Sequence, residues 1–432
     1  MKNIRILESQ IITEETIGEY IPRMESSLES IRTQIWDIIN EVKSRGDEAL
    51  LKFTEKFDKV RLKQEEIKVS EQEIKDAYSK INNELLDALK FSKKNLITFH
   101  QAQLKEEWTI NIQDGVNAGQ IYRPLKSVGI YVPGGRAIYP STVLMAATPA
   151  YVAGVKKIIL CSPPQKDGNI APEILVAANE FNIENIYKVG GVQAVAAMAY
   201  GTETIPNVLK VVGPGNKWVN GAKQLLSNVI AIDNPAGPSD ILIIADESAD
   251  YKDVIIDFIS QIEHDPDNIG IIVSSSAPLI ENIRSNLDKY INQFPRKKII
   301  KEALSNSLII EANDIEECIR ISNLIAPEHL EILTTNPRKI LDKIKNAGAV
   351  FLGPNTPVPL GDYSAGTNHI LPTGGYAKTY SGLNSLEFIK CIDVLECSRE
   401  GLKQLSTAAM TIAKFEKLDA HAAAIKNRLE EK

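Results

Sequence analysis

Ser127-Val128-Gly129-Ile130-Tyr131-Val132-Pro133-Gly134-Gly135-Arg136-Ala137-Ile138-Tyr139-Pro140-Ser141 sets the architecture of this chain. A β-branched run breaks at a proline and two glycines and then leads into a helical stretch, which reads as strand, tight corner and helix. The pattern repeats. Residues 128–132, 157–160, 186–189, 208–212 and 229–232 form one series of short apolar runs with helical stretches between them. Residues 241–244, 269–274, 308–310, 330–333 and 349–352 form a second. Such alternation builds parallel sheets with helices on both faces. The expected fold is therefore α/β, with two doubly wound, incomplete Rossmann-like parallel-sheet modules. The break between them falls at Asn234-Pro235-Ala236-Gly237-Pro238.

The flanks read differently. Pro22 interrupts the opening segment, after which Leu28, Ile31, Ile35, Ile38, Ile39 and Val42 recur at helical spacing. Ser70 and Glu73 form a capping box for a second helical block. Trp108 to Ile112 alternates, Asp114-Gly115 signals a hairpin turn, and Ile121-Tyr122 returns. The tail after Arg399 is helical, with Leu402, Leu405, Met410, Ile412 and Ala413 on one candidate face. The expected organisation is a helical arm over 1–25, one α/β domain from 26–126 with 239–380, a second over 127–238, and a helical tail over 381–432.

At 432 residues the chain exceeds a single ordinary core. Its net charge of -7 argues against broad nucleic-acid binding. No apolar run is long enough to cross a bilayer, and a charge interrupts the start too early for a signal peptide. A cytoplasmic protein is expected. Cys161, Cys318, Cys391 and Cys397 form no CxxC pair and no disulfide framework, so a bound metal would have nitrogen and oxygen ligands.

Four of the five histidines sit in polar constellations, and only His100 lies outside them. Gln261 and His264 close a helical run ended by Pro266; their spacing of three places both on one helical face, half of a metal site. Glu328-His329 pairs a carboxylate able to activate water with an imidazole able to take an alcohol proton. It precedes a strand, the end opposite to where parallel sheets usually form clefts. The stretch Gly361-Asp362-Tyr363-Ser364-Ala365-Gly366-Thr367-Asn368-His369 reads as a shaped loop with many functional side chains. Glu416 and His421 form the last constellation. Three glycine corners, at 129–141, at Gly190-Gly191-Val192-Gln193-Ala194 and at Gly213-Pro214-Gly215-Asn216, could face a phosphate, although none matches GxGxxG or a Walker A motif.

These dispersed motifs, together with Pro235-Ala236-Gly237-Pro238-Ser239, Ala326 to Glu331, Leu360 to Pro372 and Asp419-Ala420-His421, resemble the histidinol dehydrogenase family over nearly the whole length. The resemblance implies oxidation of L-histidinol to L-histidine through L-histidinal, with two hydride transfers to NAD. It implies one Zn2+ per subunit held by Gln261, His264, Asp362 and His421. Glu328 and His329 would be the acid/base pair. Ser239, His369 and Glu416 would contact substrate beside the metal ligands and His329, and Tyr131, Gln193 and Asn216 would contact NAD. Residues 127–238 would then be the NAD side, and the tail of a homodimer would reach the neighbouring subunit's site. Ser364 stands where many relatives have Cys, so no thiol is needed there. The alternative is a zinc- and NAD-linked dehydrogenase of the same scaffold acting on another polyol or a sulfonated alcohol.

Overall fold

The computed structural model describes residues 4–21, 25–134, 138–234 and 237–430. Pro22, residues 135–137, Pro235 and Ala236, read above as breaks and corners, lie outside them. The strands in chain order are β1 (Arg5–Glu8), β2 (Trp108–Gln113), β3 (Val116–Pro124), β4 (Ser127–Tyr131), β5 (Lys157–Ser162), β6 (Asn185–Lys188) and β7 (Lys210–Val212). They continue as β8 (Ala231–Ile232), β9 (Asp240–Ala245), β10 (Ile269–Ser274), β11 (Leu308–Glu311), β12 (His329–Leu333), β13 (Ala349–Leu352) and β14 (Ile389–Cys397).

A five-stranded parallel sheet has the order β6-β5-β4-β7-β8, and a six-stranded parallel sheet the order β1-β11-β10-β9-β12-β13. Numbered within its own series, each module runs third, second, first, fourth, fifth, with β1 added at the edge of the larger sheet. The two are copies of one doubly wound plan. Each has a switch point where the order reverses, between β4 and β7 in one and between β9 and β12 in the other.

Alternation along each strand divides the core into layers. In the smaller module Val128, Ile130 and Leu160 face helices Glu71–Lys80, Asn83–Gln101, Pro140–Val152 and Pro172–Asn179. Tyr131, Ile159 and Cys161 face Glu25–Arg45, Asp47–Phe57, Gly191–Tyr200 and Lys217–Leu225. In the larger module Ile241 and Ile243 meet Tyr251–Ile262 and Ala277–Ile291, and Leu242 and Ile244 meet Ile315–Ile325. Ile35 and Ile39, picked out by helical spacing, are fully buried; truncating either to Ala should cost about 2–5 kcal/mol.

Three expectations need correction. The helices of 25–101 pack chiefly on the five-stranded sheet, whereas the sequence grouping placed them with residues 239–380; Asn83–Gln101 also reaches that part of the chain, where Asn95 donates to the Ser364 carbonyl at 2.9 Å. The opening arm is not wholly helical: Arg5–Glu8 extends the six-stranded sheet by pairing with β11. The region after 381 is not wholly helical either, since β14 pairs antiparallel with β3 of the hairpin. Both missed strands owe their place to partners distant in sequence, a signal that local periodicity does not carry. The hairpin itself turns at Asp114-Gly115, with Gly115 at φ +76°, and the Ser70–Glu73 capping box forms as expected.

Candidate active site

One cavity of about 720 Å3 lies between the modules. On one side are the corners after β4 and β7, with Tyr131, Pro133, Gly213, Gly215 and Asn216. On the other are Ser239 before β9, the 264–268 turn before β10, and Glu328-His329 at the start of β12. The carboxyl edge of one sheet thus faces the amino edge of the other. The sequence position of Glu328-His329, at the wrong end for a cleft in its own sheet, is resolved by the second sheet, which supplies the opposite wall.

Helix Ile315–Ile325 delivers this pair. It stops at Ala326, whose φ of +55° is unusual for a residue with a Cβ, and Pro327 prevents continuation. Glu328 then meets Asp240 head to head: the Asp240 N–H donates to Glu328 Oε2 at 3.0 Å and the Glu328 N–H donates to Asp240 Oδ1 at 2.8 Å. Burial pushes the Glu328 carboxyl up to about 8; His329 draws it down and Asp240 pushes it further up. His329 Nδ1 lies 3.2 Å from the Asp240 carbonyl and donates to it. Its Nε2 points to Asp362 Oδ1 at 3.4 Å and finds no well-aligned partner among the described residues. Burial alone would lower this imidazole, but Glu328 and Asp362 outweigh it and lift it to about 9.

Gln261 lies at the end of helix Tyr251–Ile262, and His264 falls just beyond it, so the two do not share a helical face as their spacing suggested. They line the same cavity nonetheless. Asn268 Nδ2 donates to the Gln261 carbonyl at 2.9 Å and Arg296 donates to that of His264 at 3.2 Å, fixing the turn. Gly270 on β10 leaves room for the Phe258 ring; a Cβ there would collide with it. Burial holds His264 below the ordinary imidazole range, in the neutral form that binds metal.

Asp362 does not sit in a loop: Val358–Tyr363 is a short helix, with Gly361 letting it approach the Phe351 ring. Although burial favours its acid form, His329 and then His369 and His264 keep the Asp362 carboxyl below the usual range. His369 donates from Nδ1 to the Asp362 carbonyl at 3.0 Å, and its Nε2 lies 3.4 Å from Thr142 Oγ1. Burial lowers His369 as well.

Tyr131 and Asn216 line the cavity, the latter also capping helix Lys217–Leu225 through bonds from Trp218 N and Val219 N. Gln193 lies behind the Gly190-Gly191 corner, 1% exposed, with its Oε1 unpartnered among the described residues. The Gly191 N–H donates to the Tyr131 hydroxyl at 3.2 Å. Glu416 and His421 are exposed and do not line the cavity. Asp240 and Thr142 are among the site residues that sequence reasoning missed. A charged residue heading an otherwise apolar parallel strand was the available signal for Asp240.

A model of the histidinol dehydrogenase family matches residues 21–429, spanning both modules and the tail with Glu416 and His421. The chain belongs to the histidinol dehydrogenase family. The histidinol dehydrogenase of Methanosarcina barkeri is 48% identical over 404 residues, 93% of each chain. That of Methanocaldococcus jannaschii is 46% identical over 419 residues, 97% of each. The crystal structure of histidinol dehydrogenase from Elizabethkingia anophelis superimposes with a TM-score of 0.95 at 39% identity, covering 100% of this chain and 99% of that one. Membership of the histidinol dehydrogenase family makes this chain an oxidoreductase. No helix among the described residues is long and apolar enough to cross a membrane.

Proposed function

We propose that the protein oxidises L-histidinol to L-histidine through L-histidinal, reducing two NAD, as a zinc-dependent homodimer in the cytoplasm. The observation that carries this reading is a single cavity lined by an acid/base pair, three nitrogen and oxygen donors, and a glycine corner at the carboxyl edge of a doubly wound sheet.

The donor chemistry fits zinc. Gln261, His264 and Asp362 line one cavity, and His264 is held neutral by burial. Gln261 would supply one ligand beside His264 and Asp362, and His421 of the tail another. His421 and Glu416 would reach the site of the neighbouring subunit. Helices Arg399–Phe415 and Asp419–Glu430 pack on one another and the first of them on β14, and they leave Ile412 and Phe415 exposed, as an element docked on a partner would. When bound, the zinc orients the substrate and lowers the hydroxyl's proton affinity.

The cofactor side fits NAD. Gly213 has φ +118°, and a Cβ there would collide with the Tyr131 carbonyl; the glycine lets the corner after β7 lie close against β4 at the switch point, where a doubly wound sheet receives its ligand. Gln193 keeps a buried acceptor without a partner beside Gly191. Tyr131, Gln193 and Asn216 would hold the cofactor over the substrate.

The chemistry follows from the residues. His329 Nε2 takes the hydroxyl proton as a hydride leaves the carbinol carbon, giving the aldehyde. Glu328 takes a proton from water as its oxygen adds to the aldehyde carbon. A second hydride leaves the hydrate and the carboxylate forms. The sum is alcohol, water and two NAD+ to carboxylate, two NADH and three protons. With Asp362 as a ligand, its carboxylate would hold a proton on His329 less strongly, which favours the neutral imidazole as base. Ser239 and His369 would contact the substrate. Turnover of L-histidinol against a polyol and a sulfonated alcohol, under equal conditions, tests the assignment; preference for either of the others would overturn it.

A further inference from the structure

The buried Lys223–Asp233 pair serves none of the steps above, yet both residues line the cavity wall. Lys223 Nζ lies 2.6 Å from Asp233 Oδ1, with both side chains 2% exposed. The two close a ring around a single residue. Lys223 donates to the Gly213 carbonyl at 2.9 Å, and the Gly213 N–H donates to Asp233 Oδ2 at 2.8 Å. Gly213 is the residue at φ +118° that turns the chain from β7 toward Asn216. Lys223 comes from helix Lys217–Leu225 and Asp233 from the end of β8, so the pair ties the corner to the helix it introduces and to the next strand.

A buried ion pair is an expensive way to hold a fold. Removing two charges from water costs several kcal/mol per ion, and apolar residues of similar volume often stabilise as well or better. What the pair supplies here is direction. The Gly213 carbonyl and N–H are both engaged from behind, so the backbone of Gly213–Asn216 keeps one orientation toward the cavity. Asn220 adds a bond from Nδ2 to the Gly215 carbonyl at 2.8 Å. Preorganised backbone donors bind an anionic ligand better than donors that must be ordered on binding.

We infer that Lys223 and Asp233 are positioning residues that hold the Gly213–Asn216 corner in the conformation that receives the diphosphate-bearing cofactor. The inference rests on the reading of this wall as the NAD side. It concerns affinity for the dinucleotide, not the metal or the alcohol.

The test is the double variant K223M/D233N, which removes both charges without leaving one buried alone. The amide oxygen that replaces the Asp233 carboxylate can still accept from the Gly213 N–H. Binding of NADH is read by its fluorescence, zinc content by elemental analysis, and folding by thermal denaturation. The wild-type protein is titrated first; no NADH binding there overturns the NAD reading itself. Given wild-type binding, the expected result is a folded variant with unchanged zinc content, a KM for L-histidinol within twofold, and an NADH Kd and KM for NAD raised at least tenfold. Unchanged NADH affinity in the folded variant would overturn the positioning role. Equal losses in zinc, histidinol and NADH would do the same, marking the pair as general scaffolding. If the double variant does not fold, Asp233→Glu carries the same comparison, since it keeps the two charges paired but shifts the carboxylate off the Gly213 N–H.

Discussion

Asp240 and Glu328 lock each other across neighbouring parallel strands, each backbone N–H bonded to the other's carboxylate, at 3.0 Å and 2.8 Å. The lock joins the first residue of β9 to the residue preceding β12, at the switch point of the larger sheet. It also places the Asp240 carbonyl against His329 Nδ1 and so fixes which imidazole nitrogen faces the cavity. One residue absent from the acid/base pair therefore orients both members of it.

Asp240→Ala should strand the buried Glu328 N–H, at a cost of about 1–3 kcal/mol. Urea unfolding measures that loss. Oxidation of L-histidinal should fall further than zinc content, because Glu328 loses its orientation while the metal donors stay. Wild-type stability in this variant would show that the bond from the Glu328 N–H to the Asp240 carboxylate contributes nothing net.

Glu328→Gln should still oxidise L-histidinol to the aldehyde in a single turnover and fail at the second oxidation, since an amide cannot take the proton from water. In the wild-type protein the same step carries a pH signature. Burial puts the Glu328 carboxyl at about 8, and only its ionised form is a base. The aldehyde step should lose about tenfold per unit as pH falls below that value. A flat rate for L-histidinal oxidation between pH 6 and 9 would contradict the assignment.

Asp257 and Glu331 pack together beneath His329, and both carboxyls are raised, chiefly by burial and, for Glu331, by the neighbouring Asp257 as well. Their ordinary values are 3.8 and 4.5. The folded state therefore holds protons that the unfolded chain has released. The stability this confers is fully present below those ordinary values and is lost as pH rises through the raised ones. Glu331→Gln removes one such proton site, so its unfolding free energy should decline less between pH 6 and 9 than that of the wild type. Parallel stability curves for the two proteins would count against a protonated Glu331.

Metal retention and subunit sharing are tested together. His264→Ala and His421→Ala should each lose zinc by elemental analysis. Refolding a mixture of Glu328→Gln and His421→Ala chains should recover L-histidine formation that neither supports alone. In the mixed dimer one site combines an intact body with an intact tail. No recovery, with mixed dimers demonstrated, would place His421 in the site of its own chain.

Much of the fold could be read locally. All ten strands of the two βα series appear within two residues of their expected limits, because parallel strands covered on both faces, as most of these are, are written as short β-branched runs between turn residues. Arg5–Glu8 and Ile389–Cys397 were not visible. The first is half polar and gains its strand character only from β11, and the second is largely exposed and gains it from β3. The site shows the same division. Glu328, His329, Gln261, His264, Asp362 and His369 converge on one cavity as expected. Asp240, Thr142, Lys223 and Asp233 act by supporting others through bonds between distant segments, and no spacing rule encodes those. Glu416 and His421 stay outside the cavity of the single chain.

The most direct test of the central claim is the ratio of NADH to L-histidine formed by the zinc-loaded protein from L-histidinol, with both products quantified in one reaction. The account predicts two NADH per histidine and no accumulation of free L-histidinal. One NADH with the aldehyde as final product, or no turnover with zinc bound and the fold intact, would contradict it.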